Sequence, residues 1–243
     1  MSDLQAVLFD LDDTLLGNDM NVFLQNYFPL LSDYARPLIE ADRFLPELMH
    51  ATQAMINNGD RSMTNRDVFW RVFCERNGWL REEVEPFFAT FYEEQFGRLK
   101  RTTRRKPIAR HLVRWCFDRG FKVVIATNPL FPRRAIEQRL SWADVGVDEF
   151  DYALVTAYEN MHSAKPHSAY YLEVLSAVDV EPSQALMVGD DWGNDIVPAT
   201  RTGLYTYWIP PVSALAPDGD VKADGQGGLE ELFQQLQAGW PAR

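Results

Sequence analysis

Cysteine is nearly absent from this chain of 243 residues, which has two, Cys74 and Cys116. Two thiols so placed form no disulfide framework and have no metal-ligand spacing, which excludes a small scaffold held by bridges. Both fall in helix-like stretches and are expected as buried filler. Histidine is scarce as well: His50, His111, His162 and His167 show no mutual spacing suited to a metal. No uninterrupted apolar run approaches the roughly 20 residues of a membrane helix, so no membrane association is expected. The N-terminus lacks the basic, apolar and small-residue regions of an export signal, and the expected location is cytoplasmic. Positive charge is the minority: 24 Lys and Arg stand against 35 Asp and Glu, a formal net charge of -11. Nucleic acid is therefore not an expected partner, because affinity for it comes mostly from cations meeting phosphates. A small anionic substrate stays compatible, since a local positive site outweighs a distant field at physiological salt.

What is present is an ordinary globular composition, 46% hydrophobic and 24% charged, in a chain long enough for one large domain or two smaller ones. Apolar runs without polar alternation, "AVLF" at 6–9, "KVVIAT" at 122–127 and "ALMV" at 185–188, suit parallel strands covered on both faces. "DYALVTA" at 151–157 and "LYTYWI" at 204–209 are weaker members of the set. Helical patterns lie between them. "PIARHLVRWCFDRG" puts Ile108, Leu112, Trp115 and Cys116 on one stripe and stops at Gly120. "PRRAIEQRLSWADVG" carries Ile136 and Leu140 four apart, with Pro132 expected at the first helical position. "KPHSAYYLEVLSAV" and "GNDIVPATRTG" follow, the latter expected to bend or shorten at Pro198, and a last helix is expected near "LEELFQQLQ", after a Gly- and Asp-rich loop at 217–228. Such alternation predicts an α/β fold, a parallel-sheet Rossmann-like core with helices on both faces. Residues 17–104 break it with amphipathic helical stretches and no strand, Thr64 or Asn65 capping one that ends at Gly78. The expected division is a catalytic core of 1–16 and 105–243, with 17–104 as an all-helical cap domain.

Each of the three apolar runs ends in polar residues, two of them in clustered aspartates. Asp10, Asp12 and Asp13 directly follow the first apolar run, Thr127 and Asn128 end the second, and Asp190 and Asp191 end the third. Ligands of open parallel sheets bind beyond the carboxyl ends of the strands. Residues two apart on an extended segment share a side, so Asp10 and Asp12 face one pocket. So many like charges are unfavourable together unless something positive, a metal ion or a substrate, sits among them.

"FDLDDT", a strand ending in "ATN", the pair Lys165 and Pro166, and "VGDDWGND" resemble, in order, the four motifs of the haloacid dehalogenase superfamily. The resemblance covers about 1–17 and 105–210. It implies a nucleophilic Asp10 that takes the phosphoryl group, dividing the transfer into two steps. It implies Asp12 as the acid that protonates the leaving oxygen and then as the base that activates water. Thr127, with the backbone near Asn128, would bind phosphoryl oxygens, and Lys165 would neutralise charge between Asp10 and the phosphate. The implied cofactor is Mg2+, held by the Asp10 side chain, the Asp12 carbonyl and the Asp190 side chain. Asp191 or Asp195 would orient waters or Lys165, and the string offers both.

The expected reaction is hydrolysis of a small phosphorylated metabolite. A sugar-phosphate mutase uses the same core and stays open, as does a non-catalytic phosphate- or metal-binding protein. Asp12 argues against a dehalogenase, which needs no acid for a halide. A phosphonate hydrolase would need a cap lysine, and Lys100 stands at the very end of the helical block. Asp13 and Thr14 read as structural, and Trp192 as either lining the site mouth or packing under its loop. The basic run "RLKRTTRRKP" at 98–107 is a solvated hinge or holds a second anionic group of the substrate. Neither the substrate nor the oligomeric state is legible.

Overall fold

A computed structural model describes residues 4–211 and 214–241. Its strands, in chain order, are β1 (Ala6–Phe9), β2 (Leu16–Gly17), β3 (Arg104–Arg105), β4 (Lys122–Ile125), β5 (Leu154–Val155), β6 (Ala185–Gly189), β7 (Tyr205–Trp208) and β8 (Gly225–Gln226). The helices are α1 (Met20–Ala35), α2 (Ala41–Ile56), α3 (Asn65–Asn77), α4 (Arg81–Glu94), α5 (Pro107–Asp118), α6 (Arg133–Trp142), α7 (Ser168–Val178), α8 (Val197–Thr202) and α9 (Leu229–Gln237). No helix among the described residues is long and apolar enough to cross a membrane.

The three apolar runs become the centre of a six-stranded sheet in the order β5-β4-β1-β6-β7-β8, with every neighbouring pair parallel. Side chains alternate across it. Ala6, Leu8, Val124 and Met187 pack with Tyr170, Tyr171 and Val174 of α7. Val7, Phe9, Ile125 and Val188 face the other way, in the cluster that holds Leu112 and Cys116 of α5 and Leu232 of α9. Full burial of each large aliphatic or aromatic side chain contributes about 1.5–3 kcal/mol, which is why the buried middle of each run carries no polar residue. Trp115 of α5 meets Phe233 of α9 with ring centroids 5.8 Å apart, fixing the last helix to the sheet. Cys74 and Cys116 are buried and unbridged, and burial pushes the Cys116 thiol up to about 12.

Several local details depart from the sequence reading. Pro132 is the residue before α6 rather than its first, and the Glu159 carboxylate accepts from the freed Arg133 N–H at 2.9 Å. Of the run 151–157 only Leu154–Val155 is strand, the chain turning just beyond it at Tyr158–Asn160, while the Thr156 hydroxyl donates to the Thr127 carbonyl at 2.7 Å. The helix expected over "GNDIVPATRTG" is two pieces. A wide π-type turn at Trp192–Ile196 precedes α8, and Pro198 lies in the first turn of α8, where a missing N–H is tolerated. β8 arises inside the expected loop, where a Cβ on Gly225 would lie 2.7 Å from the Tyr207 ring.

Helices α1–α4 form an insert between β1 and α5. At the two places where the chain leaves and rejoins the sheet, β2 and β3 pair antiparallel as a short ribbon. The Thr64 side chain caps α3 by accepting from Asp67 N–H, and Gly78 ends it at φ 68. Phe44, Phe73, Phe88 and Phe91 are buried inside the insert, and Tyr27 of α1 meets Phe131 of the sheet side at 5.4 Å. A second anchor lies at the start of α3. Asn65, fully buried, donates its backbone N–H to the Met161 carbonyl at 2.7 Å and its side-chain amide to the Ser163 carbonyl at 3.1 Å.

Candidate active site

Register brings the strand ends together. Phe9 is level with Ile125 on one side and Val188 on the other, so Asp10, Thr127 and Asp190 emerge at one rim. Lys165, from the segment before α7, reaches into this rim and is 2% exposed. Its ammonium donates to Asp10 Oδ1 at 2.8 Å and to Asp195 Oδ1 at 2.6 Å, and its backbone N–H donates to Asn128 Oδ1 at 3.2 Å. One carboxylate oxygen from each of Asp10, Asp190 and Asp195 lies within 4.8 Å of the others. Thr14 Oγ1 donates to Asp190 Oδ1 at 3.3 Å. Thr127 is buried beside them, with its carbonyl accepting from the Tyr170 hydroxyl at 2.9 Å.

The string "GDDWGND" offers two carboxylates for one place, and the wide turn separates their surroundings. Asp195 points inward, is 1% exposed, and accepts from Lys165 and from the Asp191 N–H. Asp191 instead accepts from the backbone of Gly193 at 2.8 Å and of Asn194 at 3.0 Å, holding the turn. Gly189 makes room for Asp195, since a Cβ there would lie 2.6 Å from the Asp195 Cβ and closer still to its carboxylate. Gly189→Ala should therefore displace Asp195 and lower stability by about 1–3 kcal/mol, read by urea denaturation. Wild-type stability would mean that Asp195 moves aside without loss.

Electrostatics at the rim are strained in the absence of added positive charge. Burial, aided by Asp195 and Asp190, pushes Asp10 well above the usual carboxylate range despite the opposing Lys165. Asp190 is pushed up to about 7 by burial, then by Asp195 and Asp13. Burial also raises Asp195, with Lys165 opposing. For Lys165, burial disfavours the ammonium, but the Asp10 and Asp195 carboxylates outweigh it and hold the proton well above the ordinary lysine range. Three carboxylates against one ammonium is an excess of negative charge, and a set of hard oxygens with that excess suits Mg2+.

Asp12 faces the same cavity but has different partners. Arg139 of α6, 1% exposed, forms an ion pair with Asp12 Oδ2, and Asn18 Nδ2 donates to Asp12 Oδ1 at 2.7 Å. The Arg139 guanidinium lies 4.7 Å from the centre of the Phe131 ring. Sequence reasoning missed both residues. Arg139 sits three residues after Ile136 and just before Leu140, inside the buried stripe of α6, and a charge on an apolar stripe was the available signal. Asp13, at φ 54, accepts from the Asn18 N–H and serves the turn. Trp192 packs edge-on against Trp208 at 5.0 Å. Arg105 of the basic run pairs with Asp144, and Lys106 donates to the Thr14 carbonyl at 3.0 Å. His162 pairs with Glu173 at 2.7 Å.

Asp10, Asp12, Thr127, Asn128, Lys165, Asp190, Asp191 and Asp195 all border one cavity of about 410 Å³, which the insert covers from the other side.

Comparison with known proteins agrees with this picture. Residues 4–203 match the haloacid dehalogenase-like hydrolase family. The chain is 33% identical over 105 residues to haloacid dehalogenase-like hydrolase domain-containing protein 3 of Xenopus laevis, a match spanning 43% of this chain and 41% of that protein. It is 27% identical over 207 residues to the pyrophosphatase PpaX of Bacillus cereus, covering 84% of this chain and 82% of the relative. Among solved structures, a 2-haloacid dehalogenase from Pseudomonas syringae superposes with a TM-score of 0.62 at 22% identity, over 97% of this chain and 99% of that one.

Proposed function

Because the chain belongs to the haloacid dehalogenase-like hydrolases, we propose that it is a magnesium-dependent phosphatase acting on a small phosphomonoester through an aspartyl-phosphate on Asp10. The observation that carries this reading is that Asp12, a second carboxylate, opens on the same cavity as Asp10, Thr127 and Lys165. Loss of a halide needs no proton, whereas an alkoxide leaving group does. Residues 1–16 with 105–243 would be the catalytic core, and 17–104 its cap.

An Asp10 carboxylate oxygen attacks phosphorus, the bond from phosphorus to the ester oxygen breaks, and Asp12 gives its proton to the departing oxygen. Once that proton has gone, Arg139 and Asn18, which bond to both oxygens of the ionised Asp12, stabilise the anion left behind. Asp12 then takes a proton from water as the water oxygen attacks phosphorus, the bond to Asp10 breaks and inorganic phosphate leaves. Lys165 balances charge on Asp10 throughout, Asp195 fixes Lys165, and Asp191 holds the turn that presents both Asp190 and Asp195. Thr127 and Asn128 border the phosphoryl oxygens. Mg2+, which the Asp10 and Asp190 side chains and the Asp12 carbonyl would hold, supplies positive charge to the phosphoryl oxygens when bound.

The test is release of phosphate from p-nitrophenyl phosphate. Turnover should require Mg2+ and vanish with a chelator, and Asp12→Asn should slow it by about 10²–10⁴. Mg2+ should also raise the melting temperature, as any ligand of the folded state does. Equal turnover by wild type and Asp12→Asn would overturn the mechanism.

A further inference from the structure

The cavity over the rim is divided by charge. Every charged residue bordering it, Asp10, Asp12, Asp13, Arg139, Lys165, Asp190, Asp191 and Asp195, comes from the sheet side. The residues that the insert contributes are uncharged, and most are aliphatic or aromatic. Leu24 and Phe28 of α1, Leu48 and Ile56 of α2 and Phe69 of α3 are partly exposed to it, opposite Phe131.

Most of the few polar groups on this wall are already occupied, the buried Asn18 Oδ1 being an exception. Tyr27 and Tyr92 share a hydrogen bond at 2.8 Å, Thr52 donates to the Leu48 carbonyl at 2.8 Å, and Trp70 Nε1 donates to the Tyr158 hydroxyl at 3.3 Å. Asn18 turns its amide to Asp12. Lys165 is held by Asp10 and Asp195, and Arg139 pairs with Asp12 through Nη1 while its buried Nη2 keeps no partner.

We propose that the substrate of this site is a phosphomonoester whose leaving group is uncharged and apolar, an alkyl or aryl alcohol that fills the space between rim and insert. The inference rests on the phosphatase reading and adds the class of alcohol. The phosphoryl group occupies the charged end, where Asp10 lies. What remains attached to the ester oxygen must then face the insert, in a cavity of about 410 Å³, within the ordinary range for organic ligands of about 300–1,000 Å³. An apolar group there exchanges water for Leu, Ile and Phe side chains, which is favourable in proportion to the area covered. A second anion against the insert, the carboxylate of phosphoglycolate or the second phosphoryl group of pyrophosphate, would lose water and meet no cation on that wall.

An n-alkyl phosphate series tests this without changing leaving-group acidity. Phosphate release from ethyl, butyl and hexyl phosphate is measured with saturating Mg2+, beside phosphoglycolate and pyrophosphate. The expected result is a rise in kcat/KM of about fourfold per methylene, roughly 250-fold over the four methylenes from ethyl to hexyl, with both competitors that carry a second anionic group below hexyl phosphate. In Leu48→Arg, folded by circular dichroism, hexyl phosphate should lose at least about tenfold more than ethyl phosphate. A flat series with ethyl phosphate turned over, or preference for phosphoglycolate or pyrophosphate, overturns the apolar subsite and leaves the phosphatase standing. No phosphate from any of the compounds overturns both.

Discussion

Asp10→Asn is expected to lower turnover by about four orders of magnitude or more, while the metal-free protein melts at the same temperature or higher. An amide of nearly equal shape is a far poorer nucleophile toward phosphorus. The stability half follows from the sign of the shift. Burial, then Asp195 and Asp190, hold Asp10 above its unfolded range. A group so raised makes the folded state bind more protons than the unfolded one, so its ionised form opposes folding progressively as pH rises above the unfolded value. At neutral pH a neutral amide removes that opposition, and its oxygen can still accept from Lys165. The measurements are phosphate release and thermal unfolding in chelator. Turnover near wild type would sink the nucleophile assignment, and a fall of several degrees would show that the carboxylate is needed to hold the rim.

Lys165→Met should act in the reverse sense on stability. It removes the ammonium that Asp10 and Asp195 share at 2.8 and 2.6 Å, leaving two buried carboxylates without a partner. Breaking a buried pair by removing one member costs about 3–5 kcal/mol, which in a chain of this length lowers the melting temperature by roughly 10 °C. The raised Lys165 value agrees in sign: a cation held above its unfolded range contributes stability throughout the neutral range, lost only at strongly alkaline pH. Turnover should fall with it, because Asp10 then faces phosphate with no neutralising charge. Adding Asp195→Asn to Lys165→Met should restore part of the lost stability, as one of the orphaned charges disappears. Urea denaturation of the single and double variants decides it. A loss below about 1 kcal/mol in the single variant would mean that the carboxylates take up protons instead.

The sheet was legible because strands covered on both faces have no use for polar residues, so 6–9, 123–126 and 185–188 stand out as unbroken apolar runs. The rim was legible for the complementary reason. Asp10, Thr127 and Asp190 follow those runs at once, and parallel register then places them at one edge without further information. β8 was not legible, since two residues carry no period. Asp195 could not be told from Asp191 because the turn containing them is wider than an α-helix, and helical spacing misplaces its side chains. Arg139 and Asn18 escaped for another reason. Asp12 is a neighbour of Arg139 only after folding, 127 residues away along the chain, and although Asn18 is six residues from Asp12, the turn that aims its amide at Asp12 leaves no periodic signal in a single sequence. The wall formed by the insert was visible as aromatic and aliphatic residues, but which of them face outward depends on how four helices pack.

The buried amide of Asn65 links two things usually thought of separately. It ties the start of α3 to the carbonyls of Met161 and Ser163, and the chain from Ser163 runs within two residues to Lys165. Swinging the helices away from the sheet at that edge must strip partners from a fully desolvated side chain, and it pulls on the segment that aims the ammonium. If the helices move to admit a substrate, that movement and the placement of Lys165 would be mechanically geared to each other, and hydrogen exchange at the Asn65 backbone amide should report both as one event.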